Sequence, residues 1–363
     1  MKKICFFNSS DFWGGGEMLH LENAIEFRNR GFQVVVAANP NSELWKRAQK
    51  NGFDTMAVRI NSLSFLNIIK LMKLQKQFSV HKIDTLIFTT SQDFKTASIA
   101  GYLANIPRVV YLRGLAVPIK RSLVNQFCMT RACTHIIANS EETKRTILQH
   151  FQGILPADSV KTIYHGIQPK LLENKKFSGH FFSQKSKGII LGNAGRLTKQ
   201  KGQHHLIEVA RYLKEEKIEF TLYIAGTGEL LDELTESIEK HHLQNDVILL
   251  GFVKEMEIFM QSIDLFLLPS SWEGFGFAIV EAMAKGKPVV AFNTTSNPEI
   301  ITDQKTGLLA DFSEPKDFAQ KTKELILDPT LRKRMGEAAK QSVVDRFIIQ
   351  DRVAELEKYI AIK

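Results

Sequence analysis

The chain alternates short runs of β-branched and aromatic residues with longer segments of helical periodicity, and this alternation starts twice. In the first half, the runs that predict strands are 3–8, 33–38, 55–58, 85–89, 108–112 and 135–139. In the second half, they are 188–194, 220–225, 247–250, 265–268, 288–291 and 307–310. Strands that alternate with helices predict parallel sheets covered on both faces. The sequence therefore predicts an α/β protein built from two similar halves.

The domain boundaries follow from the chain length and from one polar stretch. A chain of 363 residues is long for one core and suits two domains of ordinary size. The residues between Pro169 and Gly188 are polar and lack a clear period, which is typical of a linker. We predict an N-terminal domain over 1–170, a linker over 171–187 and a C-terminal domain over 188–346.

The net charge of +9 is confined to the first half of the chain. Residues 1–170 carry 22 Lys and Arg against 11 Asp and Glu, whereas the remainder carries 26 against 28. A positive field favours an anionic partner, which leaves nucleic acid, an acidic membrane leaflet, or an acidic glycan or lipid substrate. Charge alone does not choose among these three classes.

Signals of secretion and membrane insertion are missing from the sequence. Residues 1–7 are too short for a signal-peptide core, and no run approaches the ~20 apolar residues of a membrane span. The three cysteines form no C-x-x-C pair, which suits a reducing compartment. We expect a cytoplasmic protein whose contact with a membrane, such as the inner face of the cytoplasmic membrane, is peripheral.

The glycine-rich loop after the first strand predicts a ligand site. Neither G-x-G-x-x-G nor a Walker A sequence occurs, which disfavours dinucleotide and P-loop sites. Nevertheless, Gly14, Gly15 and Gly16 lead directly into a predicted helix, where free N–H groups suit a phosphate. A tight strand-to-helix turn without a ligand is the alternative.

The loop 195–202 (GRLTKQKG) also follows a strand and precedes a helix. Its two cations, Arg196 and Lys201, could hold a diphosphate and offset the charge that builds on it as a bond breaks. The alternative is a solvated basic loop.

The segment 273–281 (EGFGFAIVE) contains two glutamates eight positions apart. Gly274 and Gly276 predict that a helix begins near Phe277, which leaves Glu273 in the loop and places Glu281 in the second turn. Each carboxylate could accept hydrogen bonds from a pair of vicinal hydroxyls, one on a sugar and one on a ribose. The alternative, which is more common for paired glutamates, is that both lie on the surface beside a capped helix and bind nothing.

These motifs together resemble the retaining GT-B glycosyltransferases of family 4, the glycosyl transferases of group 1. The segments that carry the resemblance are 14–17, 163–167, 195–202, 226–229 (GTGE), 251–253 (GFV), 273–281, 297–301 (NPEII) and 307–309 (GLL). They span nearly the whole chain. The resemblance implies two Rossmann-like domains facing across a cleft, with the last helix, 347–363, packing back on the N-terminal domain.

The resemblance implies transfer of a sugar from a nucleotide diphosphate sugar, most often a UDP-sugar, to an acceptor hydroxyl. Arg196, Lys201 and Glu273 take the catalytic positions: the two cations grip the leaving diphosphate, and the carboxylate contacts the donor sugar. Glu281 maps onto the residue that binds the ribose hydroxyls. How retention arises, by internal return at the front face or through a covalent intermediate, stays open.

The remaining donor-binding positions come from the same resemblance. Phe275 and Gly276 map onto backbone near the sugar and phosphate, Val253 onto the position that meets the base, and Gly226 and Thr227 onto the donor loop. Gly15 and Gly16 complete this set. Since no Asp-x-Asp occurs, we expect no cofactor and no metal, with cations and helix N-termini in place of a divalent ion.

The acceptor side departs from the family pattern at Arg113, where many members carry His, and at His165, where Asn is usual. Arg113, Lys120 and Arg121 are the candidate acceptor residues, because Arg suits planar anions. The lysines of the apolar segment 63–78 suit an acidic leaflet or a lipid-linked glycan, although such stretches commonly cover a core. We expect an anionic glycan or glycolipid acceptor, such as lipopolysaccharide core.

Two other functions remain as alternatives. A GT-B epimerase or hydrolase would act on the nucleotide sugar without an acceptor. A basic nucleic-acid-binding protein would explain the positive half, but it would not explain the two glutamates, and no aromatic-basic RNA motif occurs.

Overall fold

The computed structural model of the protein describes residues 2–177, 181–182 and 188–360. These residues form two compact units. The first unit runs to Gly166 and resumes at Ile349, and the second is Ile167–Ile348. Each unit is built on one parallel sheet, so the predicted α/β class with two Rossmann-like domains is confirmed.

The N-terminal unit has seven parallel strands in the order β3-β2-β1-β4-β5-β6-β7. They are β1 Lys3–Asn8, β2 Gln33–Ala38, β3 Asp54–Ala57, β4 Thr85–Phe88, β5 Arg108–Arg113, β6 His135–Ala138 and β7 Val160–Thr162. The helices before the second unit are α1 Gly15–Asn29, α2 Glu43–Lys50, α3 Ile68–Val80, α4 Phe94–Leu103, α5 Leu123–Phe127 and α6 Glu141–Leu148. Only β7, a three-residue strand, was not predicted from the sequence.

The central strand β1 shows why helices must cover both faces of this sheet. Side chains of a strand alternate between its faces, so Cys5 and Phe7 enter one buried cluster and Ile4 and Phe6 enter the other. Helices α3 and α4 contribute to the first cluster, and α1 and α2 to the second.

The C-terminal unit has six parallel strands in the order β10-β9-β8-β11-β12-β13. They are β8 Ile189–Ala194, β9 Phe220–Ala225, β10 Val247–Gly251, β11 Leu265–Leu268, β12 Val289–Phe292 and β13 Gly307–Ala310. The helices that follow are α7 Gln203–Glu215, α8 Leu231–Lys240, α9 Met256–Ser262, α10 Phe277–Ala284, α11 Asn297–Ile300, α12 Pro315–Leu327, α13 Pro329–Arg346 and α14 Ile349–Tyr359.

The last helix, α14, packs on the N-terminal unit. Ile349, Val353 and Leu356 form a stripe at helical spacing and are buried in the same cluster as Phe6. An ion pair of 2.7 Å joins Glu357 of α14 to Arg30 at the end of α1.

The observed unit boundaries differ from the predicted domain limits. Ile167 pairs with Ile348, and its N–H donates to the carbonyl of Phe347 at 2.8 Å, so 167–170 and 347–348 belong to the C-terminal unit. These hydrogen bonds join residues far apart in sequence, which a local pattern does not reveal.

The described part of the predicted linker is also packed on the C-terminal unit. Lys285 Nζ donates to the carbonyl of Glu173 at 2.5 Å, and the N–H of Lys175 donates to Gln261 Oε1 at 2.9 Å. Residues 178–180 and 183–187 of that linker lie outside the described residues.

Two predicted helices have different limits in the structure. The residue pattern of 118–132 predicts one helix. The chain is helical only from Leu123, because the Ser122 hydroxyl caps the helix at Asn125 N–H, and the helix ends in a π-helical turn. The residue pattern of 62–78 also predicts one helix, whereas the structure has a short 3₁₀ turn, Ser64–Leu66, before Asn67 caps α3. Within the described ranges, no helix combines the length and the apolar character that a bilayer crossing requires.

Candidate active site

The site lies where the strand order of the C-terminal sheet reverses. Strands β8 and β11 are neighbours, and their following connections leave in opposite directions. In open parallel sheets, this switch point leaves a crevice outside the carboxyl ends of the strands. The loop 195–202 follows β8, and the loop 269–276 follows β11, so both predicted donor loops start at this crevice.

An ion pair joins the two loops. Lys201 Nζ lies 2.6 Å from Glu273 Oε1, and their side chains are 20% and 8% exposed. A charged hydrogen bond withdrawn from water is stronger than one on the surface. The structure therefore brings together two of the three residues predicted to be catalytic, although they are 72 positions apart.

Backbone contacts lock the same two loops together. The N–H of Ser271 donates to the carbonyl of Gln200 at 2.8 Å, and Gln200 Nε2 donates to the carbonyl of Trp272 at 3.0 Å. Gly202 has φ +66, and a Cβ there would lie 2.2 Å from the carbonyl oxygen of Pro269. Only glycine fits this position, because a side chain would collide with backbone.

Arg196 begins the first loop with an exposed side chain. Its carbonyl accepts a hydrogen bond of 3.1 Å from Nε2 of the buried Gln203, the first residue of α7. The backbone of Arg196 is thus held, while its guanidinium faces solvent. This arrangement suits a cation that meets an anionic ligand.

A run of hydroxyl residues after β12 holds the second loop. The N–H of Glu273 donates to Thr295 Oγ1 at 3.0 Å, and Ser296 Oγ donates to the carbonyl of Glu273 at 3.3 Å. Thr295 adopts φ +48, which is rare for a β-branched residue and costs backbone strain. The sequence prediction missed these residues, and the polar run 293–297 after a strand was the signal that could have found them.

Helix α10 begins at Phe277, as predicted, and places Glu281 in its second turn. Phe275 is buried, and its ring packs on Phe277 and Phe347 with centroid separations of 5.3 and 5.6 Å. The side chain of Phe275 therefore faces the interior. Gly276 caps α10 and has no side chain, so it can contact a ligand only through its backbone.

Glu281 is half-buried at the edge of a small cavity. The other residues around this cavity are Leu171, Met256, Glu257, Met260 and Lys285. Lys285 lies one helical turn after Glu281, and burial lowers the pKa of its ammonium. This ammonium donates a hydrogen bond to the carbonyl of Glu173. It therefore connects the segment before β8 to α10, the helix that carries Glu281.

The loop after β9 meets the loop 195–202. Gly226 has φ +146, and a Cβ there would lie 1.8 Å from the carbonyl oxygen of Gly195, so the two backbones touch. The N–H of Leu197 donates to the carbonyl of Thr227 at 3.0 Å. Thr227 is exposed, and Val253 is half-buried beyond the end of β10.

The candidate residues of the N-terminal unit lie at the carboxyl edge of its own sheet. Gly15 and Gly16 form the exposed start of α1. A Cβ at Gly16 would meet nothing within 4 Å, and its φ is not positive, so neither packing nor backbone geometry requires glycine there. The donor-binding role of these glycines stays a prediction.

Arg113 is buried and points inward. Its Nη1 donates to the Tyr111 hydroxyl at 2.7 Å, and its Nη2 donates to the carbonyl of Val117 at 2.5 Å. The guanidinium therefore holds the loop after β5. Of the three candidate acceptor residues, Lys120 and Arg121 are exposed.

Two titratable groups near the same edge are strongly shifted. Burial raises the pKa of Asp93 to about 6, although its carboxylate accepts hydrogen bonds from Ser9 and Thr90. Burial lowers the pKa of His165 to about 3, which keeps this imidazole neutral. The Asp93 carboxylate thus holds the start of the loop that leads to α1.

Two family models match the chain: Glycosyltransferase Family 4 over residues 13–171 and Glycosyl transferases group 1 over residues 176–342. The capsular polysaccharide biosynthesis glycosyltransferase CapM of Staphylococcus aureus is 25% identical over 354 residues, which cover 93% of this chain and 92% of CapM. A UDP-Gal:α-D-GlcNAc-diphosphoundecaprenol α-1,3-galactosyltransferase of Escherichia coli is 26% identical over 313 residues, which cover 81% of this chain and 77% of that enzyme.

Solved structures share the fold. The crystal structure of Anabaena HepE in complex with UDP and glucose superposes with a TM-score of 0.82 at 22% identity, covering 99% of this chain and 100% of HepE. The two parallel-sheet units thus have the GT-B fold. The chain belongs to the glycosyltransferases of family 4 and group 1.

Proposed function

We propose that the protein transfers a sugar from a UDP-sugar to a hydroxyl of an envelope glycan or glycolipid, such as lipopolysaccharide core, with retention at the anomeric carbon. The names of the relatives support this choice. The Escherichia coli enzyme is named for a UDP-Gal donor and a diphosphoundecaprenol-linked acceptor, and CapM is named for capsular polysaccharide biosynthesis. HepE was solved with UDP and glucose bound.

The observation that carries the proposal is the Lys201–Glu273 pair at the switch point. Breaking the bond between the sugar and UDP leaves negative charge on the diphosphate, and fixed cations stabilise that charge most in a site withdrawn from water. An ammonium has three N–H donors, so Lys201 can hold Glu273 and a phosphate oxygen together. Arg196, at the start of the same loop, supplies the second cation.

The other residues bind the parts of the donor that do not react. The Glu273 carboxylate, which Lys201 and the 293–297 loop hold in place, accepts hydrogen bonds from the sugar hydroxyls. Glu281 does the same for the ribose, and Val253 meets the base. Gly226, Thr227 and the backbone of Phe275 and Gly276 complete the donor site.

We also propose that transfer needs no metal ion and takes place at the inner face of the cytoplasmic membrane. Lys201 and Arg196 supply the positive charge that a divalent ion supplies in other glycosyltransferases. Activity that persists in excess EDTA is the expected result, and loss of activity that Mg²⁺ or Mn²⁺ restores would contradict metal independence.

The test of the proposed function compares two lysines of one loop. With a panel of UDP-sugars and lipopolysaccharide core as acceptor, Lys201→Ala should lower kcat/KM about 10²- to 10³-fold, the usual cost of a group that stabilises developing charge. Lys199→Ala removes an exposed charge two positions away and should retain nearly full activity. Equal activity of the two variants would exclude the assigned role of Lys201.

Product analysis separates the proposal from its alternative. A transferase should link the sugar to the acceptor with the anomeric configuration of the donor, as read by NMR. A GT-B epimerase or hydrolase would instead convert the UDP-sugar without an acceptor.

A further inference from the structure

We propose that Leu63, the 3₁₀ turn Ser64–Leu66 that follows it, the outer face of α3 and Arg59 form a docking surface for an anionic phospholipid leaflet. We call these residues the docking surface. This inference deepens the proposed membrane contact. It rests on the proposed function in one respect: a glycolipid acceptor explains why the protein would dock on a membrane.

The docking surface exposes large aliphatic side chains that the fold does not use. Leu66, Ile69 and Met72 are 72%, 74% and 59% exposed, and Leu63 and Ile68 are exposed as well. Scattered apolar residues are common on protein surfaces, but five within ten positions of one turn and one helix form a continuous patch.

Helix α3 already has a complete inner face. Leu71, Leu74 and Phe78 are buried in the core of the N-terminal unit at helical spacing. Ile69, Met72, Lys73, Lys76 and Val80 repeat on the opposite side at the same period. The outer stripe is thus a mixed aliphatic and basic face, and packing within the described chain does not cover it.

The charge of the docking surface is positive only. Between positions 55 and 83 the sequence has no Asp or Glu, whereas Arg59, Lys70, Lys73, Lys76 and Lys82 all lie there. A basic helix with an aliphatic face is the pattern of segments that lie in the plane of a membrane interface. Lysine stems can bury their methylenes while the ammonium reaches the headgroups.

A groove beside the helix suits the headgroup phosphates. It has a volume of about 310 Å³, and Arg59, Lys70 and Lys73 line it together with the apolar Val58 and Leu74. Three cations around one groove offer several N–H donors to a phosphate. The groove and the aliphatic stripe adjoin, so a lipid could place its phosphate in one and its acyl chains against the other.

Other occupants fit the surface less well. A second copy of the chain would bring two fully basic surfaces together, which costs electrostatic energy. Protein interfaces concentrate their binding energy in Trp, Tyr and Arg, whereas the exposed apolar residues here are Leu, Ile, Val and Met. The aliphatic and lysine composition favours a lipid leaflet.

Flotation of the full-length protein with vesicles tests the docking surface. We expect binding to phosphatidylcholine vesicles that contain phosphatidylglycerol and much weaker binding to pure phosphatidylcholine. Each lysine near an anionic surface is worth about fivefold in partitioning, so K70Q/K73Q should lower binding about 25-fold. The matched control K46Q/K50Q removes two exposed lysines of α2 and should bind as the parent protein does.

The variant I69S/M72S tests the apolar component separately. It should weaken vesicle binding while the thermal unfolding temperature stays unchanged, because both side chains are exposed. Equal binding to the two vesicle types, or equal loss in K70Q/K73Q and K46Q/K50Q, would overturn the proposal. A dimer in analytical ultracentrifugation that I69S/M72S dissociates, without vesicle binding, would also overturn it.

UDP binding, measured by calorimetry on the same variants, keeps the two proposals apart. The docking variants should bind UDP as the parent protein does, because their substitutions lie outside the residues assigned to the donor. If the parent protein failed to bind UDP, the proposed function would fail while the flotation result would still decide the docking surface.

Discussion

At the residue scale, Glu273 and Glu281 have different surroundings although they belong to one motif. Glu273 is fixed in a loop by Lys201 and by the hydroxyls of Thr295 and Ser296. Glu281 sits on a regular helix, half-buried beside a cavity. These environments suit a carboxylate that holds the reacting sugar and one that recognises a ribose.

Glu281→Ala should remove recognition of the ribose hydroxyls. We expect the parent protein to bind UDP more tightly than 2′-deoxy-UDP and the variant to bind both equally, because a lost charged hydrogen bond is worth about 1.5–3 kcal/mol. Calorimetry with the two nucleotides measures this difference. Glu233→Ala, an exposed change in α8, is the control, and undiminished discrimination in Glu281→Ala would remove the assignment.

At the element scale, α14 shows how one short helix completes a distant unit. The helix follows the last residues of the C-terminal unit, yet its apolar stripe fills the second face of the N-terminal sheet. Trp13 and Trp45 pack against the same cluster, so they report on its integrity.

Leu356→Ala should destabilise the N-terminal unit by about 2–5 kcal/mol, the usual cost of a large-to-small change in a core. Denaturant unfolding followed by the fluorescence of Trp13 and Trp45, in a Trp272→Phe background, measures this loss. Leu123 is 88% exposed, so Leu123→Ala should change the free energy of unfolding by less than about 0.5 kcal/mol. Equal effects of the two changes would show that α14 does not brace the unit.

At the scale of the whole molecule, three buried groups make stability depend on pH. Burial lowers the pKa of His20 to about 4 and that of His165 to about 3, so both contribute stability above pH 6.5 that is lost as pH falls through these values. Burial raises the pKa of Asp93 to about 6, so its contribution is present below pH 3.8 and is lost as pH rises through 6. The two histidines outweigh the carboxyl group.

From these three groups we expect the free energy of unfolding to fall by about 3 kcal/mol between pH 6.5 and pH 4. His20→Phe should flatten this dependence by about 3 kcal/mol, because phenylalanine does not titrate and the site is already apolar beside Phe6. Denaturant titrations at several pH values measure the slope. His242→Asn changes an exposed histidine and should leave the slope as it is. The same slope in His20→Phe and in the parent protein would rule out His20 as a cause.

The sequence by itself determined the fold class, most strands to within a residue or two, the start of α10 and the positions of the loops 195–202 and 269–276. These features depend on hydrophobic period, glycine and capping, which act over a few neighbouring residues. Only the tertiary structure decided that Lys201 pairs with Glu273, that Thr295 holds that glutamate and that Arg113 points inward. It also decided that 167–177 belongs with the C-terminal unit. The partner of a polar group depends on which strand ends the topology brings together, and that arrangement is set by burial across the whole sheet rather than by any local pattern.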